Sequence, residues 1–196
     1  VGSGEVAPSY AAILEDPSVD IVALATYDDA HADEVIAALG AGKHVFCEKP
    51  LCRTAEEVRA VEDAWRASGK HLRSNLILRT APLYRALRER IASGDLGEIY
   101  AFYGDYLYGR IAKITEGWRG DVPDYSVMQG GGVHLVDLMC WLTGQYGQRV
   151  RSVGNRLATR DTKFRYDDFV VSTFDLANGG TGVISANFAC VHRHQH

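Results

Sequence analysis

Two short apolar runs constrain this chain most. Residues 19–25 (Val19-Asp20-Ile21-Val22-Ala23-Leu24-Ala25) and 43–47 (Lys43-His44-Val45-Phe46-Cys47) are each shorter than a typical helix. Continuous runs of this kind read as strands of a parallel sheet buried on both faces. Between them, residues 30–39 place Val35, Ile36 and Leu39 on one helical face, and Gly40 and Gly42 stand where that helix would stop. Residues 8–14 read as a short helix. Thr54-Ala55-Glu56-Glu57 is a capping-box pattern opening a helix whose Val58, Val61, Ala64 and Trp65 keep helical spacing until Gly69. Residues 71–75 supply a third short strand. Strand, helix, strand, helix, strand is half of a doubly wound parallel sheet.

The pattern changes after Leu78. Residues 82–93 form a helical stretch ending at Gly94, and residues 98–108 alternate as a strand with one covered face. Three more strands are expected over 148–157, 168–176 and 181–188, the last two joined by the hairpin signal Asn178-Gly179-Gly180. A helix over 134–142 is introduced by Gly130-Gly131-Gly132 and stopped by Gly144. The fold class expected is α/β plus α+β: a partial Rossmann-type parallel sheet over 1–77, then an α+β domain with an open, mainly antiparallel sheet over 78–196.

Among 196 residues, a formal charge of −4 and dispersed lysines and arginines argue against nucleic acid and against an anionic membrane surface. A small-molecule partner fits better. No apolar run approaches the ~18 residues that span a bilayer, and no basic segment followed by an apolar one opens the chain. Cys47, Cys52, Cys140 and Cys190 lack C-x-x-C spacing and lie in apolar or mixed segments, which suits buried free thiols in a reducing, cytoplasmic compartment.

The second apolar run closes on Glu48-Lys49-Pro50. Ligands of open α/β sheets bind at the carboxyl ends of the strands. A lysine there loses part of its solvation, which moves it toward the range useful in proton transfer. A surface lysine before a turn-forming proline fits the tripeptide equally well.

Around this tripeptide, Ala25-Thr26-Tyr27-Asp28-Asp29-Ala30-His31 and Ala41-Gly42-Lys43-His44-Val45-Phe46-Cys47-Glu48-Lys49-Pro50-Leu51 resemble the nucleotide-domain signature of the glucose-fructose oxidoreductase, inositol dehydrogenase and MocA family. Asn75, Ser93-Gly94-Asp95-Leu96-Gly97-Glu98-Ile99, Trp118-Arg119, Gly132-Val133-His134-Leu135-Val136-Asp137 and Trp141-Leu142-Thr143-Gly144 follow in the same order. The resemblance implies an oxidoreductase using NAD or NADP and acting on a sugar, a polyol or a related hydroxy or keto compound. It implies Lys49 and His134 as the catalytic pair, with Thr26, His31, Glu48, Lys49, Pro50, Asn75, Trp118 and Arg119 beside the cofactor. It also implies that the Lys49-Pro50 bond is cis, and that the second domain serves substrate binding and homo-oligomerisation through its open sheet.

Hydride transfer to nicotinamide leaves an alcohol oxygen that must lose a proton, so a positioned acid/base such as Lys49 is required. Glu48 could instead be a solvated carboxylate. His134, on the first turn of its helix, would be kept neutral by the helix dipole; a packing role is the plainer alternative. Asp137, three residues on, could orient His134 or bond to another segment.

Two departures stand out. Many members carry an aspartate four residues before the histidine, where this chain has Gly130, and Gln129, Asp121 or Asp124 are the possible substitutes. The chain also shows no strand followed by a G-x-G-x-x-G turn to hold a pyrophosphate. It is therefore expected to be a fragment lacking that turn and the C-terminal end, with weak cofactor affinity by itself. His192, His194 and His196 alternate as if to face one side of a strand, yet a chain end explains them better than a metal site, and no metal is expected. Tyr100, Phe102, Tyr103, Tyr106 and Tyr108 could stack on a sugar or simply pack a sheet. The alternatives to a dehydrogenase are a hydrolase or lyase that oxidises its substrate transiently, and a non-catalytic binding domain.

Overall fold

Strand β1 (Ile21–Leu24), β2 (His44–Cys47) and β3 (Leu72–Ser74) lie side by side in that order, all parallel, with Leu24 opposite Cys47 and Cys47 opposite Ser74. The computed structural model describes residues 4–191 and divides into two units between Asn75 and Leu76. In the first unit, helix α1 (Tyr10–Glu15) precedes β1, α2 (His31–Gly40) joins β1 to β2, and α3 (Ala55–Ser68) joins β2 to β3. Ser9 caps α1 by accepting from the Ala12 N–H at 3.1 Å. Thr54 caps α3 by accepting from the Glu57 N–H at 3.1 Å, and the Glu57 carboxylate reaches back to accept from the Arg53 N–H at 2.6 Å. Val22, Leu24, Val45 and Cys47 meet Val35, Ala38 and Leu39 of α2 and Val61 of α3 in one core.

The strands are not buried on both faces, as their continuous apolar character suggested. Burial alternates along β1 and β2, and Ile21 is 65% and Phe46 40% exposed. The reason is positional: successive side chains of a strand point to opposite faces, and within this unit the helical core covers the face that bears Val22, Leu24, Val45 and Cys47.

The second unit begins with a 3₁₀ turn (Ile77–Thr80) and α4 (Pro82–Ala92), then β4 (Ala101–Leu107), the short α5 (Ala112–Thr115), a 3₁₀ turn at Trp118–Gly120 and α6 (Val133–Thr143). Strands β5 (Gly147–Asn155), β6 (Phe169–Leu176) and β7 (Thr181–Asn187) complete a sheet ordered β4-β7-β6-β5. The β5/β6 and β6/β7 pairs are antiparallel, whereas β4 joins the sheet parallel to β7. The β6–β7 connection turns through Gly179, whose φ of 85° favours glycine, and Asn178 Oδ1 accepts from the Gly180 N–H at 3.0 Å. Helix α6 lies on one face, where Leu135, Leu138, Met139 and Leu142 share a core with Phe174, Ile184 and Ala186. Tyr100 precedes β4, Phe102 and Tyr106 turn inward, and Tyr103, 75% exposed, points to the other face.

The three glycines before α6 are themselves helical. Residues Met128–Gly132 form a π-helical turn continuous with α6, and the Gly130 N–H already donates to Ser126 O at 2.8 Å. His134 is therefore not on the first turn of a free helix end. The field of a helix terminus fades within one turn, so the expected dipole effect on His134 does not hold. The histidines 192, 194 and 196 lie outside the described residues.

Candidate active site

In the first unit, the carboxyl edge of the sheet gathers six of the residues singled out from the sequence. Because Leu24, Cys47 and Ser74 end their strands in register, Thr26, Glu48-Lys49-Pro50 and Asn75 leave the sheet as neighbours. The ladder continues past the strands: the Glu48 N–H donates to Leu24 O at 2.9 Å and the Asn75 N–H to Cys47 O at 2.8 Å. Asn75 Nδ2 donates to Glu48 Oε1 at 2.7 Å, and Glu48 Oε2 accepts from the Lys49 N–H at 3.3 Å. Both oxygens of the Glu48 carboxylate are thus engaged around the backbone that carries Lys49.

His31 works from the other side. It is 1% exposed, with Nδ1 2.7 Å from Pro50 O and Nε2 3.3 Å from Thr26 O. The shorter contact assigns the ring proton to Nδ1, donating to Pro50 O. His31 therefore ties the Pro50 carbonyl to helix α2, and the Lys49-Pro50 bond is cis, as expected. Thr26 Oγ1 donates to Glu34 Oε2 at 2.5 Å, fastening the same edge to α2. Lys49 itself is half-buried. Polar side chains at strand carboxyl ends around a half-buried lysine fit the nicotinamide end of a dinucleotide. A glycine-rich strand-to-helix turn for a pyrophosphate is absent among the described residues.

In the second unit, His134 is buried on α6, with its ring 6.3 Å from the ring of Tyr106 at 28°. Burial pushes the Tyr106 hydroxyl up to about 12, opposed in part by the nearby charge of Arg119. Arg119 also lies over the Trp118 ring at 4.3 Å. The structure thus brings Trp118, Arg119, Tyr106 and His134 into one neighbourhood. Asp137 does not turn to His134: it accepts from Arg79 Nε at 2.8 Å and Nη2 at 2.5 Å, and this hydrogen bond raises the Arg79 pKa. Gly130 cannot be replaced by a carboxylate without rearrangement, because a Cβ there would collide with Tyr125 Oη; one on Gly131 would collide with the Tyr106 ring.

Residues 84–196 match the family model for the GFO/IDH/MocA C-terminal domain, more than half of the chain. The chain belongs to the GFO/IDH/MocA family. Residues 3–76 match the oxidoreductase family with an NAD-binding Rossmann fold. A 1,5-anhydro-D-fructose reductase of Ensifer adhaerens is 39% identical over 137 residues, 68% of this chain and 39% of that protein. An inositol 2-dehydrogenase of Salmonella typhimurium is 30% identical over 166 residues, 83% of this chain and 46% of that protein. The solved levoglucosan dehydrogenase in complex with NADH and levoglucosan superposes with a TM-score of 0.86 at 28% identity, covering 97% of this chain and 53% of that one. The chain thus spans about half the length of the relatives it matches.

Sequence reasoning missed Tyr125, which packs against Gly130, and named Tyr106 only as one of five aromatics that stack on a sugar or pack a sheet. The run Gly130-Gly131-Gly132 was the available signal, since three adjacent glycines ahead of a helix leave space for bulky neighbours. Nothing in the sequence says which side chains fill it.

Proposed function

We propose that this chain supplies the substrate side and the nicotinamide side of an NAD(P)-dependent oxidoreductase acting on a sugar, polyol or related hydroxy or keto compound. The observation that carries this reading is the double restraint on Lys49, with Glu48 bonded to Asn75 on one side and His31 bonded to Pro50 on the other. When bound, the nicotinamide supplies the hydride acceptor or donor. Lys49 takes the proton from the substrate hydroxyl, or returns it to the carbonyl oxygen, a contribution of about 10²–10⁴ in rate. His134 hydrogen-bonds the substrate. Trp118 and Arg119, stacked on each other, offer a flat cationic surface to the cofactor, and Thr26, His31, Glu48, Pro50 and Asn75 hold the edge in shape. The described residues include no helix long and apolar enough to cross a membrane. Four free cysteines, with burial raising Cys47 to about 12 and Cys52 to about 11, suit a cytoplasmic setting.

The test is to supply the protein that carries this chain with NAD or NADP and a panel of myo-inositol, levoglucosan and 1,5-anhydro-D-fructose. Reduced nicotinamide should accumulate, or be consumed, one for one with product. Turnover that leaves the nicotinamide pool unchanged would overturn the reading in favour of a hydrolase or lyase. We also propose that copies associate through the sheet face away from α6, where Tyr103 is 75% and Val153 71% exposed. Tyr103→Asp should then lower the sedimentation mass toward that of a single chain, and an unchanged mass would contradict it.

A further inference from the structure

The end of β4 stands beside His134, with the rings of Tyr106 and His134 6.3 Å apart. Successive side chains of a strand alternate between faces, so Tyr106 and Tyr108 both turn toward the core that α6 shares, and their rings stack at 5.7 Å and 23°. The Tyr108 N–H donates to Asn187 O at 2.7 Å, which carries the β4/β7 ladder one residue past the strand. Arg110 follows directly. Its N–H donates to Tyr108 O at 2.7 Å, and its guanidinium lies 5.4 Å from the centre of the Tyr108 ring, a cation–π contact that gives an exposed side chain a preferred place.

Charge of one sign gathers at this end of the second unit. Burial raises the Tyr106 pKa most and Tyr108 adds to the rise, while the nearby charges of Arg119 and Arg110 oppose it; no carboxylate is among these neighbours. One turn before His134, where an acidic side chain would offset the two cations, the chain has Gly130, and a Cβ there would collide with Tyr125 Oη. Asp105, Asp121 and Asp137 are engaged by Ser185, Lys163 and Arg79 instead. Arg119 already serves the cofactor in the reading above. Arg110 does not, and among the described residues its guanidinium meets the Tyr108 ring and no carboxylate.

A site lined by cations without a compensating carboxylate concentrates anions, and the planar guanidinium fork takes a carboxylate or a phosphate through two parallel hydrogen bonds. We infer that the substrate carries an anionic oxygen group, a carboxylate or a phosphate, and that Arg110 is the specificity-determining residue that receives it beside Tyr108. A sugar acid or a sugar phosphate is then preferred to the neutral sugar of the same stereochemistry. This inference rests on the proposal that the surroundings of His134 receive substrate.

The test is equilibrium binding, by calorimetry in the presence of NADH, to the protein that carries this chain. The probes are D-glucuronate, D-galacturonate and D-gluconate beside their neutral parents D-glucose, D-galactose and D-sorbitol, with D-glucose 6-phosphate as the phosphate arm. At least one anionic probe should bind about ten- to a hundredfold tighter than its parent, the range of a hydrogen bond to a charged group, and the tighter of glucuronate and glucose 6-phosphate tells carboxylate from phosphate. Arg110→Gln should remove the difference, and Arg110→Lys, which keeps the charge without the fork, should keep part of it. The inference is overturned if no anionic probe binds tighter than its parent, or if the preference survives in Arg110→Gln. Nicotinamide-coupled turnover of neutral sugars with no preference for the anionic ones retains the functional reading and loses this one. A preference that disappears in Arg110→Gln, in a protein without nicotinamide-coupled turnover, does the reverse.

Discussion

At the scale of single residues, the site is set by what small side chains let in. Gly130 and Gly131 face rigid tyrosine rings, whereas a Cβ on Gly132 meets the thioether of Met128, which can swing away. Gly130→Ala and Gly131→Ala should therefore each cost about 1–3 kcal/mol, as overpacking does, and Gly132→Ala less. Urea denaturation of the three variants would show this order, and equal losses would contradict it. The Glu48-Lys49-Pro50 cluster was legible because its residues follow one another directly after a strand. The partners Asn75 and His31 were legible as neighbours only through resemblance, since their bonds to Glu48 and Pro50 cross 27 and 19 residues. Tyr125 was not legible, because side-chain direction in a loop is decided by packing that no local pattern encodes.

Among elements, local signals did well where capping or periodicity governs. The Thr54 cap, the helix it opens and the Gly179 hairpin follow from short-range chemistry. Thr54→Ala should lower stability by about 1 kcal/mol, read as a shift in the denaturation midpoint; no shift would mean that Glu57 and Arg53 hold the helix start alone. Three features escaped. The one-sided burial of β1 and β2 depends on which face the helices cover, which a run of apolar residues does not state. The glycines read in sequence only as what introduces the helix, whereas they are helical themselves, with tyrosine and methionine side chains packed where Cβ atoms would be. It places His134 in a helix interior rather than at a helix end. The parallel entry of β4 beside β7 depends on a pairing across some 80 residues, which local periodicity cannot supply.

For the molecule as a whole, the order of strands and helices was readable, while affinity and chemistry depend on how much of a dinucleotide site these residues carry. The carboxyl edge of the first unit's sheet is well formed. The pyrophosphate contacts, which in this fold class come from a glycine-rich turn at a helix N-terminus, are absent among residues 4–191. Calorimetric titration of NAD and NADP into the 196-residue chain should accordingly give binding weaker than micromolar; micromolar binding would mean that another segment holds the phosphates. The central claim is that Lys49, braced by Glu48, Asn75, His31 and Pro50, transfers the proton that accompanies hydride transfer. The measurement that tests it most directly is the single-turnover rate of nicotinamide reduction in the protein carrying this chain, for wild type and Lys49→Ala at saturating substrate. The rate should fall by about 10² or more with cofactor affinity retained, whereas a rate near that of wild type would contradict the account.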